Sequence, residues 1–185
     1  MLPPLNPLSR LMRWRSGRSS SDKLYGAIVA QTRLPVFYQS LSIPDSLQGR
    51  FALLSLHLFA VLHRLKGDGA EALALAQKLM DRFSKDMEAV LREIGVSDLR
   101  IPKWMRGLAA SSHAMLESYE TSYAGDDAAF AAAIAGSLPL DPESAGLSSE
   151  LLASYLRASI ERLERQPLAS LQAGTLDFPE VTKER

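Results

Sequence analysis

Three histidines, His57, His63 and His113, are the side chains best suited to metal or proton chemistry in this chain of 185 residues, which has no cysteine. None has a Glu three residues before it, so the di-iron helix pattern is missing. His57 and His63 are six apart and point about 120° from each other on a helix, which suits no common metal site. Gly67-Asp68-Gly69-Ala70-Glu71-Ala72 satisfies a loose Gly-x-Gly-x-x-Ala pattern, but it follows a helical segment rather than a strand and reads as a turn. Asp126-Asp127 runs into Ala128, Ala129 and Phe130, so a paired-aspartate magnesium motif is not completed. Ser20 to Lys23 spells Ser-x-x-Lys, yet in a tail with no pocket around it. Without thiols there is no cysteine catalysis, disulfide or cysteine-held zinc. These residues predict no enzyme, no metal site and no organic cofactor.

The scaffold that would position any site is of ordinary single-domain size, 20.3 kDa with 46% apolar residues. Lys and Arg number 21, as do Asp and Glu, which argues against a protein that coats nucleic acid and against sequence-specific nucleic-acid binding. The longest stretches free of Asp, Glu, Lys and Arg, Phe51 to His63 and Ala128 to Leu140, have 13 residues each. A helix crossing a bilayer needs about 18 or more.

Charge is unevenly spread. Residues 1–23 carry Arg10, Arg13, Arg15, Arg18 and Lys23 against Asp22 alone. Residues 1–21 read as a basic, flexible tail, with two other readings open: a transit peptide, or a surface anchor. In the anchor, Asn6-Pro7 starts a short helix with Leu8, Leu11 and Met12 on one side and Trp14 nearby. An anionic membrane surface or ribosomal RNA would attract Arg10, Arg13, Trp14, Arg15 and Arg18 alike.

The body reads as all-α, one helical domain over 22–165, followed by a mobile tail over 166–185. Phe51, Leu54, Leu58, Val61 and Leu65 recur at heptad spacing on a helix from about Asp45 to Lys66. Leu73, Ala76, Met80, Phe83, Met87, Val90 and Ile94 do so on a second, from Gly69 to about Ile94. The short connection predicts an antiparallel hairpin with these two seams facing each other. Arg50, His57 and Arg64 form a polar ridge beside the first seam, Asp86 and Glu93 beside the second, and the register places Arg50 opposite Asp86 as an ion pair. His57 is expected as a satisfied flank residue.

Shorter helices are expected at Asp22 to Thr32, with Asp22 as cap, and around Val36 to Leu41, with Pro35 between them. After Gly95, Ser97 or Asp98 can cap a helix carrying Ile101, Trp104, Leu108, Met115, Tyr119 and Tyr123. Arg100, Lys103 and Arg106 put positive charge at its start, against the helix dipole, which hints at a surface kept for a partner; a solvated face is the plainer reading. Asp126 to Gly136 and Ser148 to Arg165 complete the set, with a Pro139–Pro142 linker between them.

Three blocks of this sequence resemble the ubiquinol–cytochrome c chaperone family. They are Leu24 to Tyr38; Ile43-Pro44-Asp45 with Gly49-Arg50-Phe51, Leu56-His57-Leu58 and Arg64-Leu65; and Phe83 to Leu99. Together they span about residues 24–125, with everything after about Gly136 outside, and the composition resembles a bacterial member. The resemblance implies a non-catalytic assembly factor for the ubiquinol–cytochrome c reductase. Its client would be newly synthesised cytochrome b, met near the ribosome and the inner membrane. It implies the bacterial cytoplasm at the inner face of that membrane, or the mitochondrial matrix side in a eukaryote. The resemblance implies that mitochondrial members act with a small partner protein, a need the sequence leaves open for this chain.

On this reading the client contacts Tyr25, Arg33, Phe37, Tyr38 and the second long helix, with Arg100, Lys103 and Arg106 at the edge. Packing of Tyr25, Phe37 and Tyr38 against the hairpin is the plainer role for those three. An alternative function is lipid or quinone binding by a helical protein peripheral to the membrane.

Overall fold

Every residue from Ala52 to Val61 is buried, on all sides of one helix. A helix apolar all round belongs at the centre of a bundle, and there the structure puts it. The computed structural model describes residues 19–140 and 145–181, so Arg10, Arg13, Trp14, Arg15 and Arg18 lie outside the described residues. Among those residues the helices are α1 (Ser20–Thr32), α2 (Pro35–Gln39), α3 (Leu47–Leu65), α4 (Gly69–Glu93), α5 (Ile101–Tyr123), α6 (Asp127–Ser137), α7 (Ala145–Arg165) and α8 (Leu168–Gln172). The fold is all-α. Central α3 packs against α1, α4, α5 and α7; α4 lies chiefly on α1, α6 on α7 and α5, and α8 on α1.

Local chemistry sets the starts. Ser19 rather than Asp22 is the N-cap of α1: its Oγ accepts from the Asp22 amide at 3.2 Å while the Asp22 carboxylate accepts from the Ser19 amide, a capping box. Ser46 caps α3 through the Gly49 amide, and Asp126 caps α6 through the Ala129 amide at 2.7 Å. Asp126 therefore has an ordinary structural task. Neither Ser97 nor Asp98 caps α5, which begins at Ile101 after a turn closed by Arg100 N–H to the Ser97 carbonyl. At the far end of the bundle Arg64 donates to the carbonyls of Leu163 (2.7 Å) and Gln166 (2.9 Å), satisfying the C-terminus of α7.

The hairpin seam needs correction. Helix α4 does turn back on α3 after the bend at 66–68, and Phe83 of the expected seam is buried, but its other buried residues, Ala72, Leu75, Leu79 and Asp86, each stand one position before a seam residue. Leu73 and Ile94, its predicted ends, stand 69% and 52% exposed. The reason is α1, which packs along α4 and draws that face toward itself.

The C-terminal segment is also not a free tail in the residues described. Leu171 of α8 is wholly buried, and Phe178 packs on the core with its ring edge-on to His57, 5.3 Å between centroids. Gly174 has φ of 78°, and a Cβ there would lie 2.8 Å from the Lys23 backbone; only glycine lets the chain pass this close to α1.

Candidate functional site

Because α4 gives its innermost face to α1, its neighbouring apolar stripe is only partly covered, with Met87, Val90 and Leu91 partly buried and Ile94 exposed. Met87, Val90, Leu91 and Ile94 of that stripe look across at Leu54 of α3 and Leu108 of α5. The space between α1, α3, α4 and the first half of α5 is a groove of about 820 Å³. Leu47, Ile94 and Trp104 stand on it 50%, 52% and 56% exposed, so apolar surface continues from the floor out into solvent. Apolar surface gathered in this way makes the groove the candidate binding site.

A polar post stands at the groove's inner wall. The Tyr25 hydroxyl donates to the Asp86 carboxylate at 2.9 Å, and Arg82 donates to the other Asp86 oxygen at 3.3 Å. The Arg82 guanidinium also lies 5.0 Å from the Tyr25 ring centre and pairs with Asp22. Burial, reinforced by the negative charge of Asp86, pushes the Tyr25 hydroxyl far above its usual pKa, so it stays a donor. Tyr38, half-buried, donates to the Thr32 carbonyl at 2.7 Å; burial raises its pKa as well.

Four cations meet the groove: Arg33, Arg50, Arg100 and Lys103. Asp86 is the one carboxylate among its lining residues. Arg50 is bonded to Asp45, which lowers the pKa of Asp45 and raises its own. That latch holds the α2–α3 connection over the start of α3. It depends on Gly49, whose added Cβ would come within 2.1 Å of the Pro44 carbonyl oxygen. No carboxylate pairs with Arg100 or Lys103 among the described residues.

The structure thus gathers Tyr25, Arg33, Tyr38, Arg100 and Lys103, which the sequence had suggested for client contact, around one groove. Phe37 does not join them. It is wholly buried, edge-on to His57 and Tyr155 at 5.3 and 5.4 Å, so it is core. Arg106 is exposed but outside the groove lining. The expected Arg50–Asp86 ion pair is absent: both residues line the groove, yet Arg50 takes Asp45, and Asp86 takes Tyr25 and Arg82. A nearer carboxylate across a short loop captured the arginine, and α1 inserted a phenol where the pair would have formed. Leu47, Trp104 and Leu108 were not singled out for the site. The available signal was α4, whose apolar positions form two adjacent stripes, more than a single packing partner can cover.

His57 is satisfied internally. Its Nδ1–H donates to the Leu53 carbonyl at 2.8 Å, and Nε2 accepts from the Tyr155 hydroxyl at 2.9 Å, which in turn accepts from Gln31. Complete burial pushes its pKa down to about 4, so the ring is neutral. No group of three or more His, Asp or Glu is placed to hold a metal among the described residues.

Comparison with known proteins assigns this architecture. The sequence profile described as "Ubiquinol-cytochrome C chaperone" matches residues 39–178, most of the chain. The chain belongs to the ubiquinol–cytochrome c chaperone family. The match runs well past Gly136, where the resemblance in the sequence had seemed to stop, and takes in α6, α7 and α8. Curated relatives include the ubiquinol-cytochrome-c reductase complex assembly factor 1 of Xenopus laevis, 23% identical over 142 residues, 77% of this chain and 71% of that one. The assembly factor 1 of Mus musculus is also 23% identical over 142 residues, spanning 48% of its length. Among solved structures, the crystal structure of the Cbp3 homolog from Brucella abortus superposes with a TM-score of 0.76. Its sequence is 32% identical, and the alignment covers 88% of this chain and 90% of that one.

Proposed function

We propose that this protein is a non-catalytic assembly chaperone that binds newly synthesised cytochrome b and supports assembly of the ubiquinol–cytochrome c reductase. The single observation that carries the reading is the groove between α1, α3, α4 and α5 in a chain of this family. An unassembled membrane protein exposes apolar helices that aggregate in water. A groove whose apolar lining emerges on half-exposed Leu47, Ile94 and Trp104 can cover part of such a helix without enclosing it. That openness favours a polypeptide over lipid or quinone carriage, for which a closed cavity with one polar mouth would serve better. No helix among the described residues is long and apolar enough to cross a membrane. The reading assigns Arg10, Arg13, Arg15 and Arg18 to contact with the ribosome or the inner-membrane surface.

The test is deletion of the gene followed by spectroscopic measurement of b-type haem and of assembled reductase. Loss of both is expected, with restoration by the wild-type chain. Normal levels of both would remove the proposal.

A further inference from the structure

The charge on the groove's rim says more about the guest than its apolar floor does. Of the four cations on this groove Arg50 is held by Asp45, while no carboxylate pairs with Arg100 or Lys103 among the described residues. The one carboxylate of the lining, Asp86, is already engaged by Tyr25 and Arg82. Arg100 is the N-cap residue of α5 and Lys103 lies in its first turn, where no acidic residue stands and where positive charge opposes the helix dipole. Trp104, the most exposed of the large apolar residues on the groove, is next to Lys103. Apolar surface and uncompensated positive charge therefore adjoin at one place, the α5 end.

We infer that the groove selects an apolar helical segment that carries carboxylates at one end, the apolar side lying along α4 and the acids reaching Arg100 and Lys103. This rests on the chaperone reading of the groove and adds a rule for which segment of a client is taken. An apolar helix ending in lysines would place like charges against that rim and be disfavoured. The rule also gives the guest a direction. With the carboxylates at α5, the apolar stretch lies against the lining of α1, α3 and α4, Val29, Leu54 and Val90 among it.

The experiment uses the full chain with Trp14→Phe, leaving Trp104 as its one tryptophan reporter. Two synthetic amphipathic helices share one leucine–alanine–glutamine sequence and end either in two glutamates or in two lysines. Binding is read by the blue shift of Trp104 fluorescence. At low salt the glutamate-ended helix binds about tenfold tighter, the scale of two rim ion pairs. The preference fades as salt shortens the screening length to about 3 Å at 1 M. Arg100→Glu with Lys103→Glu, both on exposed positions, inverts it in favour of the lysine-ended helix. Equal affinity for the two helices, or no inversion, overturns the charge rule while gene deletion still tests the chaperone reading by itself. Saturable binding of laurate that shifts Trp104 while neither helix does so overturns it in favour of a small anionic amphiphile.

Discussion

The Tyr25 hydroxyl donates to Asp86 across 2.9 Å and so fastens α1 to α4 at the inner wall of the groove. Without that bond Asp86 would keep Arg82 alone in a site shielded from water. Tyr25→Phe should lower the stability by about 1–3 kcal/mol, the scale of a buried carboxylate losing a donor. Urea unfolding measures it. A loss under about 0.5 kcal/mol would show that the bond does not hold the two helices.

His57 makes stability sensitive to acid. Its folded pKa is pushed down to about 4, below the ordinary value of 6.5, so the unfolded chain takes the proton first. The contribution is complete above the unfolded value and is lost as pH falls through the window between 6.5 and about 4. It amounts to about 3 kcal/mol for a fully buried ring. Unfolding free energies measured across that window should fall more steeply for the wild type than for His57→Gln; parallel curves would refute the buried neutral imidazole.

Gly49→Ala probes the latch over α3. The new Cβ would lie 2.1 Å from the Pro44 carbonyl oxygen, so the Ile43-Pro44-Asp45 segment must shift and the Arg50–Asp45 pair with it. Overpacking of this kind costs about 1–3 kcal/mol. Thermal unfolding should show the loss, and a variant as stable as the wild type would mean the loop moves freely.

The C-terminal segment is expected to behave as core. Phe178→Ala removes a ring that packs on the core beside His57, and Leu171→Ala a wholly buried side chain. Each should lower stability by about 2–4 kcal/mol. Denaturation of either at wild-type urea would show that this segment adds nothing.

Much of the helical scaffold was legible because helix periods and breakers are local properties. The spacing of Phe51 to Leu65 marked α3, and Gly67-Asp68-Gly69 marked its end. Which face of α4 is inside was not legible, since Leu73 and Leu75 are equally apolar and the choice was made by α1, far away in sequence. The same long-range packing sent Asp86 to Tyr25 and Phe37 into the core. Leu168 to Phe178 shows no helical period to read, because its few apolar side chains are spent on contacts with α1 and the core. At the site, the cations Arg100 and Lys103 could be found as a strip out of keeping with a helix start. Their companion Trp104 looked like any core aromatic until its exposure was known.

The central claim is that the groove receives the client, and site-directed photocrosslinking tests it most directly. A photoreactive residue is placed at Trp104 on the groove and, as a comparison, at Leu147 on α7, which is 67% exposed and outside the lining. In cells synthesising cytochrome b, the account predicts crosslinks to that protein from position 104 and none from 147. Crosslinks from 147 alone, or equally from both, would contradict it.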